Sequence, residues 1–150
     1  MASKAHLIRG IEAVHNTEKD FSCVDPELTP LSKQQASDLT NTFPHLNNIS
    51  LIISPPLRRT IQTTLLTSPK VLDKKYYEPD SGNGIRGDAE LILDPELQEL
   101  SSLPCDTCSE RTVLEKEFPE LELGLWRKGG IGRREFMGLR RRRWRGGRRV

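Results

Sequence analysis

Two short apolar runs that end at proline constrain the fold of this chain more than any other feature. Ser50-Leu-Ile-Ile-Ser54 is followed at once by Pro55-Pro56, and Glu90-Leu-Ile-Leu-Asp94 is followed by Pro95. A continuous rather than alternating apolar run is typical of a strand that is covered on both faces, as in a parallel sheet. The sequence therefore predicts strands over 50–54 and 90–94, and a further strand over 5–9.

Helix signals separate these runs. Thr29-Pro30 predicts a helix start, because threonine is a good N-cap and proline at the first helical position loses no hydrogen bond. The apolar stripe of this helix comprises Leu31, Ala36 and Leu39, and Phe43-Pro44 ends it. Further helices are predicted over 57–66 and 109–118. The alternation of strands and helices predicts an α/β protein, a three-layer α/β/α sandwich with a mostly parallel sheet.

Charge divides the 150 residues into two parts. Residues 126–150 hold 11 Lys and Arg against one Glu, a balance of +10, whereas residues 1–125 carry −8. We predict a domain over 1–125 and a disordered Arg/Gly-rich tail over 126–150, since this tail has no apolar period. The abrupt change near Leu125 is also what a frameshift or mis-splicing would produce. Arginines around Trp144 could bind nucleic acid, although unspecific electrostatic attraction is the simpler expectation.

Three cysteines, an odd number, and the absence of a signal-peptide apolar region predict a cytoplasmic protein with reduced thiols. No apolar run approaches the length of a membrane span, so we expect no membrane partner. Gly82 to Gly87 spells G-x-G-x-x-G, but the motif does not open a helix and predicts a loop. Cys105 and Cys108 form C-x-x-C without nearby further ligands, which predicts incidental thiols and no metal site.

Polar residues follow the predicted strands at three places. Arg9-Gly10-Ile11-Glu12 and His15-Asn16 follow the first strand, Asp25 to Leu31 reads Asp-Pro-Glu-Leu-Thr-Pro-Leu, and Ser54 to Thr63 reads Ser-Pro-Pro-Leu-Arg-Arg-Thr-Ile-Gln-Thr. Their order and spacing resemble the histidine phosphatase superfamily, the phosphoglycerate-mutase-like enzymes. In that family the first strand ends Leu-Ile/Val-Arg-His-Gly-Glu, and the later segments read Asp-x-x-Leu-Thr and Ser-Pro-Leu-x-Arg-x-x-x-Thr.

The resemblance implies a phosphate site built from Arg9, Asn16 and Arg59, with Glu99 as the acid that protonates the leaving oxygen. It implies a phosphorylated small molecule or phosphate as partner and no metal or cofactor. Arg59 would start a helix, and a helix N-terminus itself favours anions. An arginine fork suits phosphoryl oxygens, where charge builds in the transition state.

Two departures from the family pattern bear on activity. Gly10 occupies the position of the nucleophilic histidine, and no histidine follows His45, where the family has a second one. The resemblance also implies a sheet that is incomplete on its C-terminal side. We therefore expect impaired catalysis, with a phosphate-binding pseudoenzyme or a nucleic-acid binder as alternatives. His15, five positions beyond Gly10, is expected to hydrogen-bond locally rather than to replace the nucleophile.

Overall fold

The computed structural model describes residues 4–43, 48–121 and 123. Within them the helices and strands, in chain order, are α1 (Val14–Glu18), α2 (Pro30–Thr42), β1 (Leu51–Ser54), α3 (Arg58–Thr67), β2 (Glu90–Leu93) and α4 (Arg111–Glu117). Short 3₁₀ helices lie at Lys74–Tyr76, Pro95–Leu97 and Pro104–Asp106. The protein is therefore α/β, as predicted. The predicted tail over 126–150 lies outside the described residues. Among the described residues, none of the helices has the length and apolar character of a membrane span.

The sheet of the described part consists of two parallel strands. β1 pairs with β2 so that Ile52 lies beside Leu91 and Ser54 beside Leu93. This confirms the strands predicted over 50–54 and 90–94, and their parallel pairing. α3 connects them, because parallel neighbours need a crossover rather than a tight turn.

The strand predicted over 5–9 is wrong. Residues 4–12 have no strand structure, and Leu7 and Ile8 are 97% and 41% exposed. A cavity of about 520 Å³ lies between this segment and β1, lined by residues 4–8 and Gly10 on one side and by 48–55 on the other. Apolar composition alone does not make a strand, because a strand forms only when a neighbouring backbone completes its hydrogen bonds.

The core covers one face of the sheet. Buried side chains of α3, α4 and the residues after α4 form it, and Leu91 and Leu93 pack against it. Its members are Ile61, Leu114, Phe118, Leu121 and Leu123. On the opposite face, Leu51 and Ile53 are 46% and 49% exposed. Within the described residues this strand is therefore covered on one face only.

α2 begins where the sequence predicts, but it buries a different face. The Thr29 hydroxyl accepts a hydrogen bond from the Ser32 amide at 3.1 Å and caps the helix. The buried positions are Ser32, Ala36 and Thr40, whereas Leu31 is exposed. These side chains are small and their hydroxyls are hydrogen-bonded, so α2 can approach α3 closely without leaving a polar group unpaired.

A buried carboxylate fixes the start of α3. Asp25 is fully buried and accepts from the Arg58 amide at 2.8 Å and from the Ser109 amide at 2.7 Å. It thereby joins the loop before α2 to the first turn of α3 and to the segment that leads into α4. The helices predicted over 57–66 and 109–118 are both present with slightly shifted ends.

The G-x-G-x-x-G segment is a loop, as predicted. Gly82, Gly84 and Gly87 all have positive φ, and the loop leads into β2 rather than opening a helix. A Cβ at Gly84 would lie 2.5 Å from the Cα of Lys74. This glycine is needed for a close approach between two backbone segments, and no phosphate site is required to explain it.

Candidate functional site

Arg59 lies in the first turn of α3 and is 9% exposed. Its Nη1 donates to the Cys105 carbonyl at 2.6 Å, and its Nη2 donates to Asp106 Oδ1 at 2.9 Å. The side chains of the ion pair are 11% and 7% exposed, so both charges are largely removed from water. Two of the five guanidinium N–H groups are thus used to hold the 3₁₀ helix Pro104–Asp106 against α3.

His15 lies in α1 and is 7% exposed. Its ring meets the ring of Phe21 edge to face, with centroids 5.8 Å apart. Its Nδ1 is buried and has no hydrogen-bond partner among the described residues. The expectation that His15 hydrogen-bonds locally is therefore wrong for this atom, and the ring packs against Phe21 instead.

Four side chains form one electrostatic cluster. Burial lowers the pKa of His15, and the positive charge of Arg59 lowers it further, while Asp106 and Glu99 act in the opposite direction. The net shift is downward, so the imidazole is neutral at neutral pH. We call His15, Arg59, Glu99 and Asp106 the His15 cluster.

Glu99 is the exposed member of the His15 cluster. Its carboxylate acts on the pKa values of both His15 and Cys105, so it lies within electrostatic range of the buried groups. The side chain before it, Gln98, has a buried Nε2 without a hydrogen-bond partner in the described part of the chain. Buried polar atoms without partners are rare in folded proteins, and this segment and His15 each carry one.

Arg9 and Asn16 are exposed and are not members of the His15 cluster. Arg9 is exposed in the unpaired segment before α1 and is not among the charges that shift the pKa of His15. Asn16 is exposed, and its Oδ1 accepts from the Ala13 amide at 3.1 Å. The amide oxygen of Asn16 is therefore used to close the N-terminus of α1.

Gly10 faces open space. A Cβ built there meets no atom within 4 Å, and the residue lines the cavity between residues 4–10 and β1. Ser54, Thr60 and Thr63 line the same cavity from β1 and α3. The first carbon of a side chain at position 10 would thus meet no steric barrier.

The sequence predicts that the N-terminus of α3 attracts anions. In the structure a carboxylate of the protein itself, that of Asp25, already binds there. The Asp25 carboxylate accepts from the first helical amide, that of Arg58. This carboxylate satisfies one of the amides that an external phosphate would otherwise use. The sequence patterns identified the hydrogen-bond donors of α3, but they did not identify the carboxylates that accept from these donors.

The C-x-x-C thiols show no sign of a metal or redox centre. Among the described residues no three His, Cys, Asp or Glu side chains are arranged to hold a metal ion. Cys105 is buried, and burial raises the pKa of its thiol. A protonated, enclosed thiol is a poor nucleophile, so a structural role for Cys105 is favoured.

Sequence reasoning missed the pairing of Asp106 with Arg59 and the enclosure of His15. A weak signal for the first exists, because Asp106 follows the Glu99 segment that the family resemblance associates with the acid. No local pattern marks His15 as buried, since its burial depends on Phe21 and on contacts across the fold.

Comparison with known proteins gives one relevant match. A phosphoglycerate mutase-like protein of Arabidopsis thaliana is 39% identical over an aligned region of 71 residues, which covers 40% of this chain and 26% of the relative. The chain thus spans about a quarter of the length of that protein. No family model matches the chain, and no solved structure matches it. Over the aligned region the chain is thus similar to a phosphoglycerate mutase-like protein.

Proposed function

We propose that this chain is a histidine-phosphatase-like protein that binds phosphate or a phosphorylated small molecule and turns it over poorly. The observation that carries the proposal is the buried guanidinium of Arg59, which donates to the Cys105 carbonyl and to Asp106 and whose charge acts on His15 together with that of Glu99. A guanidinium group is a suitable partner for a phosphoryl group, because its N–H donors match the geometry of the phosphoryl oxygens. The partial match to a phosphoglycerate mutase-like protein is in accord with this chemistry.

Poor turnover follows from Gly10 in this proposal. Family members use a histidine here to accept the phosphoryl group, and glycine has no side chain to do so. Arg9 and Asn16 remain proposed phosphate ligands that would move onto a bound phosphate. We also propose that the complete fold is a three-layer sandwich, in which the exposed Leu51 and Ile53 face of the sheet is covered.

Phosphate binding is tested by thermal unfolding with inorganic phosphate or vanadate. At a ligand concentration ten times its Kd, binding stabilises the native state by about 1.4 kcal/mol and raises Tm by several degrees. Arg59→Lys keeps a positive charge beside Asp106 but loses the arginine fork, so we expect the shift to disappear. Arg58→Lys is the matched control, because Arg58 pairs with Glu117 instead and the shift should persist.

Turnover is tested by phosphomonoester hydrolysis between about pH 4 and 8. The native chain should remain near background. Gly10→His should gain measurable activity, because it restores an imidazole at the position of the family nucleophile and its Cβ has no atom within 4 Å. No phosphate-induced shift in the native chain would contradict the binding proposal, as would a shift retained by Arg59→Lys. Robust hydrolysis by the native chain would contradict the proposed impairment.

A further inference from the structure

The His15 cluster contains a buried atom whose hydrogen-bonding capacity is unused. His15 is 93% enclosed, since only 7% of its surface is exposed, and Nδ1 has no partner in the described residues. Leaving such a group unpaired in the interior is destabilising. An enclosed polar atom of this kind, within the electrostatic range of the Arg59 guanidinium, indicates a group that is completed by a ligand.

The charges that act on the imidazole determine which protonation state of His15 favours the binding of an anion. Arg59 supplies one positive charge, whereas Asp106 and Glu99 supply two negative charges. With neutral His15 the cluster has a net charge of −1 and repels an anion. Protonation of His15 brings the net charge to zero and adds a second N–H donor.

We propose that His15 contacts the bound phosphoryl oxygens as an imidazolium, so that anion binding is coupled to uptake of one proton by this side chain. The inference rests on the proposed phosphate-binding function and adds to it a ligand residue that the sequence did not suggest. The bound anion offsets the effect of Arg59 on His15 and hydrogen-bonds to the charged ring. The negative charges of Asp106 and Glu99, which act on the same ring, further favour its charged form.

Proton coupling predicts tighter binding at lower pH. Where His15 is neutral in the free protein, affinity for a dianion rises on the order of tenfold for each pH unit of acidification. The rise ends at the pKa of the free side chain, which lies below 6.5. A residue that merely packs against Phe21 would give no such dependence.

Sulfate is the probe, because it remains a dianion across this range whereas phosphate itself titrates. Its affinity for the native chain is measured by calorimetry at pH 5.0, 6.0, 7.0 and 7.5. We expect at least about tenfold tighter binding at pH 5.0 than at pH 7.5. His15→Gln should abolish this dependence, and His6→Gln, a change at an exposed histidine outside the cluster, should retain it.

A spectroscopic titration keeps the test decisive if His15→Gln does not fold. The imidazole resonance of His15 in the native chain is followed with and without saturating sulfate, and its pKa should rise on binding. Sulfate binding that is equally tight at all four pH values, or an unchanged His15 pKa, would overturn this inference alone. Failure of both sulfate and phosphate to bind at any pH would overturn the proposed function as well.

Discussion

Internal carboxylates accept hydrogen bonds from donors that the sequence pattern assigns to a phosphate ligand. Asp25 takes the first amide of α3, and Asp106 takes one side of the Arg59 guanidinium. Both carboxylates are almost fully buried, so each depends on its partners for the hydrogen bonds that water would otherwise provide. The hydrogen bonds of Asp25 and Asp106 thus join segments that are far apart in the chain.

Asp25→Asn is expected to destabilise the protein by about 1.5–3 kcal/mol, because an amide can accept only one of the two hydrogen bonds. The backbone is not the cause, since asparagine tolerates the positive φ of 45° found at Asp25. The measurement is the urea midpoint of unfolding. Asp20→Asn is the control, because that carboxylate is exposed and accepts from the Ser22 amide nearby. Equal midpoint changes in the two variants would refute the role of Asp25.

Two helices pack through small polar side chains rather than through an apolar stripe. Thr40 in α2 donates its hydroxyl to the Leu66 carbonyl at 3.0 Å and lies 3.2 Å from the Thr67 carbonyl. These carbonyls belong to the last turn of α3, which has no partner within its own helix. α2 therefore caps the C-terminus of its neighbour.

Thr40→Val tests this cap at constant shape and constant β-branching. We expect a loss of about 1–2 kcal/mol in the free energy of unfolding, because the carbonyls at the end of α3 lose their donor. Thr42→Val, an exposed threonine of the same helix, serves as the reference. The interpretation is wrong if chemical denaturation gives the two variants the same stability.

The boundaries of the helices and strands were more predictable than the side of each element that is buried. Thr29-Pro30, Pro55-Pro56 and Pro95 mark element ends through local backbone chemistry, so those boundaries follow from the sequence. The buried side of α2 does not, because Ser32 and Thr40 are buried only when hydroxyl partners elsewhere are available. The strand expected over 5–9 fails for a related reason, since a strand requires a partner that no local pattern encodes.

At the scale of the whole molecule, stability depends on which groups change their proton affinity on folding. The pKa of His15 is lowered from 6.5, so the unfolded chain takes up a proton at higher pH than the folded one. Stability from this group is complete above pH 6.5 and declines as the pH falls from there towards the lowered pKa. Glu27 and Glu90, whose pKa values Lys33 and Lys75 lower from 4.5, lose their contributions only below about pH 4.5.

Acid destabilisation should therefore occur in two stages. Without added anions, the urea midpoint of the native chain should decrease between pH 6.5 and 5, and again below 4.5. His15→Gln should remove the first decrease and retain the second, whereas His6→Gln should retain both. A native-chain midpoint that is constant from pH 7.5 to 5 would contradict the enclosed, neutral state of His15.

The site was less predictable than the fold because it is assembled from segments far apart in the chain. Arg59 and Glu99 could be proposed from family-like spacing, but the burial of His15 and the pairing with Asp106 arise only when α1, α3 and the 3₁₀ helix Pro104–Asp106 come together. The sequence shows the charge of each side chain, but it does not show which side chain forms an ion pair with it.

The contact between Asp25 and Ser109 spans 84 residues and has a consequence for biosynthesis. During translation the carboxylate and the first turn of α3 emerge well before Ser109 does. At about 5–20 residues per second, the ribosome needs roughly 4–17 s to supply the missing amide. Until then Asp25 lacks the hydrogen bond from the Ser109 amide. The N-terminal segments therefore cannot complete their native contacts before Ser109 has been synthesised. Contacts of such sequence separation also slow folding of the finished chain.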